Sequence, residues 1–161
     1  MKKFVFLFIA LFMAVSSQAQ FEQGKYYIGA SLSGLNLSYS GAEDLSFGLD
    51  AKGGYLVADN WMLLAQVGFT HSGIDDVPDY ASVGVGARYY VIQNGLYLGL
   101  NAKLLHANHN HNDLMPGMEI GYAFFLNKTV TIEPAVYYDQ SFRNHSDYSK
   151  FGLRIGVGVY L

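Results

Sequence analysis

From residue 150 to the end the chain reads KFGLRIGVGVYL. Phe151, Leu153, Ile155, Val157, Val159 and Leu161 fall on one parity, and Lys150, Gly152, Arg154, Gly156, Gly158 and Tyr160 on the other. Successive strand side chains point to opposite faces, so this period of two predicts a strand with one apolar and one small-or-charged face. The pattern recurs at 45–57, 61–70, 81–90, 96–105, 118–125 and 130–139. A first strand, about 25–39, also alternates but slips phase at Ser33-Gly34, which predicts a bulge there. Together these make eight strands. Pro134 interrupts one of them with a residue that has no N–H to donate, and a second local bulge is expected at that point.

The connections alternate in length. Ala58-Asp59-Asn60, Gln93-Asn94-Gly95 and Asn127-Lys128-Thr129 are short and carry tight-turn residues. Longer polar connections are expected at 40–43, 72–79, 107–113 and 141–149. An even strand number, long strands, and short turns at one end with longer loops at the other predict an all-β fold: an eight-stranded antiparallel transmembrane β-barrel in up-and-down meander order.

A soluble barrel would show the same alternation with the faces exchanged. The charges decide against it. One face is nearly uncharged along every strand, while the other carries Asp50, Lys52, Arg88, Lys103, Glu119, Glu133, Asp139, Lys150 and Arg154 among glycines. In a soluble barrel the bulky apolar residues would crowd an eight-strand interior that has little room, and the glycines would face water with no packing purpose. Composition agrees: 18 Gly, 13 Tyr and 11 Phe in 161 residues favour β structure, and the absence of cysteine excludes a disulfide frame or thiolate zinc site.

The opening MKKFVFLFIALFMAVSSQAQ has a lysine pair, a twelve-residue apolar run and small residues at Ser17 and Ala19. That run is too short to span a bilayer and predicts a secretory signal peptide at 1–19, leaving a barrel domain at 20–161. Cleavage removes two lysines and takes the formal charge from −3 to −5, which argues against a nucleic-acid partner.

The whole mature chain resembles the small eight-stranded outer-membrane barrels of the OmpA/OmpX type. The segments FGLRIGVGVYL, SSQAQ and GKYYIGASLSGLNLSY look like those of outer-membrane β-barrel domain proteins of Bacteroidota-type bacteria. The family's terminal assembly signal usually ends in an aromatic residue, whereas this chain ends in Leu161 after Tyr160. The resemblance implies residence in the cell outer membrane, with the short turns facing the periplasm. It implies outer-membrane lipid, lipopolysaccharide and the barrel-assembly machinery as partners, a monomeric state, no catalytic residue and no cofactor.

Inward parity at the short-turn end collects Tyr27, Leu56, Met62, Leu64, Tyr90, Tyr97, Phe125 and Tyr160, which are expected to form a hydrophobic stopper. Above it lie Asp50, Lys52, Arg88, Lys103, Glu119, Glu133 and Arg154. Burying an unpaired charge costs several kcal/mol, so an internal ion-pair network is expected. The leading function is a non-enzymatic barrel with a side-chain-plugged lumen and a structural or surface-interaction role. A narrow porin-like channel for small solutes is the alternative. A rim enzyme acting on lipid, built from sets such as His71, Ser72, Asp75 and Asp76, is a third class, and its residues match no known motif.

The stretch HANHNHND at 106–113 holds three of the five histidines. Imidazole and carboxylate gathered at a rim bind transition metals, which makes His106, His109, His111 and Asp113 the metal candidates. They have no fixed ligand spacing, and His and Asn favour exposed loops in any case, so no metal is assigned.

Overall fold

The computed structural model describes residues 21–35, 47–71, 80–91, 95–107, 111–141 and 150–161. The strands are β1 (Tyr26–Leu35), β2 (Phe47–Ala58), β3 (Trp61–His71), β4 (Tyr80–Tyr90), β5 (Leu96–Ala107), β6 (His111–Tyr122), β7 (Phe124–Phe125), β8 (Val130–Asp139) and β9 (Lys150–Tyr160). β7 continues β6 past Ala123, so the nine segments form eight staves. Each stave pairs antiparallel with its sequence neighbour, and β1 pairs with β9 to close the barrel. The seam ends in a reciprocal pair of bonds: Tyr26 N donates to Leu161 O at 3.0 Å and Leu161 N to Tyr26 O at 2.9 Å. A closed sheet has no free edge, so its backbone polar groups are paired within the wall, as a hydrocarbon surrounding demands.

The faces sort as the alternation requires. Leu100 is 68% exposed and Val85 65%, whereas Arg88 and Glu119 are 2% and 4% exposed. A continuous apolar exterior of this extent is far beyond what a water-soluble monomer exposes. At the short-turn end the exterior carries aromatic pairs: Tyr26 with Tyr55, Trp61 with Tyr89, and Tyr122 with Phe124, with ring centroids 4.4–5.1 Å apart. Phe69 and Phe151 stand exposed toward the other end. The aromatic pairs at the short-turn end, bordering an apolar band, match one membrane interface.

The turns follow local chemistry. Asn60 sits at φ 66°, the left-handed region that Asn tolerates, between β2 and β3. Asn127 Oδ1 accepts from the N–H groups of Thr129 and Val130, both at 2.8 Å, and closes the turn before β8.

The bulge expected in β1 is present: its register with β9 shifts between Ser33 and Leu35. Two other expectations need correction. Pro134 makes no bulge. Its ladder with β9 runs through without a shift, while the ladder with β6 stops at Ala135 and resumes with β7 at Ile132 in the same register. The missing N–H leaves a gap in the wall on one side only, and that gap divides β6 from β7. The third external connection is also shorter than 107–113, because Ala107, His106 and Leu105 pair with His111, Asn112 and Asp113, so strand pairing continues to the rim. The expected signal peptide, most of the other long connections, His109 and His145 lie outside the described residues.

Candidate functional site

Inward side chains fill the lumen from the short-turn mouth upward. The lowest layer comes from Phe21, which precedes the first strand. Residues 21–25 turn under the β2–β3 hairpin and are tied to it. Asn60 N donates to Phe21 O and Gly24 N to Leu56 O, both at 2.9 Å, and Gln23 N donates to Asp59 Oδ1 at 2.9 Å. This strap carries the Phe21 ring into the mouth, where it is fully buried and stacks on Tyr90 at 3.8 Å between centroids. It meets Phe125 and Tyr160 edge-on. Tyr27, Leu56, Met62, Leu64, Tyr90, Tyr97 and Tyr160 are buried in the same cluster, and Phe125 packs against it partly buried. Glycines leave room for the phenols: a Cβ on Gly29 would collide with the Tyr27 ring, and one on Gly121 with that of Tyr97.

Above this layer two carboxylates organise the charges. Glu133 accepts from four donors: Arg88 Nη1 at 2.8 Å, Tyr27 OH at 2.9 Å, Thr131 Oγ1 at 2.9 Å and Tyr160 OH at 3.1 Å. A carboxylate has about four acceptor sites, so Glu133 is saturated. Glu119 takes three cations: Arg88 Nε at 2.8 Å, Arg154 Nη1 at 2.9 Å and Lys52 Nζ at 3.2 Å. Arg88 therefore bridges the two carboxylates, and its guanidinium lies 4.1 Å over the Tyr97 ring, a cation–π contact that holds its plane. Higher in the barrel Lys103 Nζ pairs with Asp139 Oδ2 at 2.5 Å, and Arg154 Nε stands 3.6 Å from Asp50 Oδ2. Each of these eight groups with an inward parity thus has an opposite charge beside it. In a low-dielectric interior such pairing offsets a desolvation cost that lone charges could not meet.

Of the metal candidates, His106 and Asp113 face opposite sides of the wall, and His109 lies outside the described residues. His106 is exposed on the outward face of β5, while Asp113 lies on the inward face of β6 and accepts from Ser141 Oγ at 2.6 Å. His111 begins β6. Among the described residues no three His, Asp or Glu side chains gather as a metal site would require.

The roles of three contributors could not be read from the alternation. Phe21 belongs to no strand, and only its place just after the segment expected to be a leader marks it. Thr131 has inward parity, but nothing in the sequence distinguishes a ligand of Glu133 from a spectator. Asp139 was legible as an inward charge, though not as the partner of Lys103.

A family model described as the outer membrane protein beta-barrel domain matches residues 4–161. Among solved structures, the N-terminal β-barrel domain of Pseudomonas aeruginosa OprF aligns with a TM-score of 0.62 at 15% identity, covering 86% of this chain and 98% of that one. Neisserial surface protein A aligns at 0.59 and 17% identity, covering 85% and 99%. A de novo designed transmembrane β-barrel aligns at 0.55 and 16% identity, covering 87% and 98%. At these identities the likeness is one of fold. No curated protein matches the chain in sequence.

Proposed function

This chain belongs to the outer membrane protein β-barrel domain family, and we propose that it serves the outer membrane as a non-enzymatic barrel with a lumen closed by its own side chains. Its role is structural, with the external rim available as an interaction surface, and it acts as a monomer in contact with outer-membrane lipid and lipopolysaccharide. One observation carries this reading. The Phe21 and tyrosine layer fills the short-turn mouth directly beneath a carboxylate network whose donors already occupy the middle of the lumen. A solute would have to displace buried rings and separate buried ion pairs, each step costing several kcal/mol.

The test is electrical. Protein reconstituted in a planar bilayer should give no steady open current at modest voltage. Stable, voltage-independent conductance steps would favour the narrow channel and reject the closed lumen.

A further inference from the structure

The hydrogen bonds of the strap run to the β2–β3 turn and its flank. Phe21 O accepts from Asn60 N, Gly24 N donates to Leu56 O and Lys25 O accepts from Leu56 N, all at 2.9 Å. Gln23 donates its amide to Asp59 Oδ1 at 2.9 Å and its side-chain Nε2 to Val57 O at 3.1 Å. The Phe21 ring goes elsewhere. It stacks on Tyr90 at the end of β4 and meets Phe125 of β7 and Tyr160 of β9 edge-on, at 5.6 and 5.5 Å between centroids. The partners of one side chain thus come from staves spread around the barrel. Tyr160 is the last residue of β9 and pairs with Tyr27 across the closing seam. The seat for the ring is therefore complete only once β1 and β9 have met.

The rest of the strap is lightly held. Glu22, Gln23 and Gly24 are exposed, whereas Phe21 is fully buried. Gly24 bends the segment at φ 95°, a conformation that L side chains rarely adopt, and a Cβ there would meet nothing within 4 Å. The strap is thus a short arm with a glycine bend and one apolar end. Segments with few buried contacts open at lower cost than the core, so the arm can leave while the staves stay paired. A group that binds only the closed form also shifts the balance toward that form.

We propose that residues 21–25 are a latch: Phe21 docks after the barrel has closed, and then holds the seam shut by joining the β2–β3 turn to β4, β7 and β9. Barrel formation does not need the latch, but a long-lived closed barrel does. This goes beyond the closed lumen, because it concerns the lifetime of the wall and not what passes through it.

Folding into lipid vesicles and unfolding in urea can be followed by the fluorescence of Trp61, the sole tryptophan. Contacts made after the transition state change the unfolding rate and spare the folding rate. Phe21→Ala should speed unfolding by roughly a hundredfold, the size of a buried Phe→Ala loss, and leave the folding rate within about twofold. Gly24→Ala touches no lumen side chain and strains only the bend, so it should speed unfolding about fivefold, again without slowing folding. In the native protein, pulse-labelled amide exchange should show Gln23 and Asn60, the strap bonds, gaining protection after Tyr26 and Leu161, the seam bonds. Folding slowed by about tenfold or more in either variant, or strap amides protected before or together with the seam, would put the strap in the folding nucleus and overturn the latch. Unchanged unfolding rates would also overturn it, since the strap would then hold nothing. Gly24→Ala and the native order of protection decide the matter even if Phe21→Ala does not fold.

Discussion

Glu119 is the residue on which the interior depends most. Three cations converge on it from β2, β4 and β9, of which Arg88 is shared with Glu133 and Arg154 with Asp50. Removing it leaves buried positive charge uncompensated, a change that typically costs about 3–5 kcal/mol. Glu119→Ala should lower the unfolding free energy by that amount, read from urea titration in lipid vesicles. An effect below about 1 kcal/mol, the range of solvent-exposed pairs, would mean that water reaches the layer. Residue identity and parity told which charges point inward, because the period of two does so wherever one face must be apolar. They could not tell that Glu119 is the hub and that Lys103 belongs to Asp139. Those facts follow from the stagger between staves, which one sequence does not encode position by position.

The staves themselves were legible almost throughout, since ten or so alternating residues leave little else for the backbone to do. The failures share one cause. At Pro134, at the third hairpin and in the strap, the outcome depends on what a neighbouring element offers. Proline announces a lost donor, but only the fold tells which neighbour loses the bond. Here it is the β6–β7 side, at Tyr122 and Ala123. Pro134→Val should restore one ladder bond, worth about 0.5–1.5 kcal/mol. Amide exchange across 120–124 should slow by roughly tenfold, the kinetic equivalent of that energy. Unchanged exchange would place the cause of the break in Ala123. The strap was invisible because residues 21–25 form no alternating run and their hydrogen bonds reach a turn more than thirty residues away.

For the molecule as a whole, the apolar exterior is the feature that sets the environment. Val85 stands midway along β4 and is 65% exposed. Arginine at the bilayer midplane of such a barrel costs about 2–4 kcal/mol, so Val85→Arg should destabilise the protein by that much in vesicles. An unaffected stability would put that face in water.

Barrel closure also brings Phe21 and Leu161 to the same mouth, one beneath the β2–β3 turn and the other bonded to Tyr26. A tag or cargo joined directly before Phe21 or after Leu161 would therefore emerge on one side of the membrane, beside the buried aromatic layer. Peptides meant for display belong at the far hairpins, where an insertion would leave the stopper and the closing seam untouched.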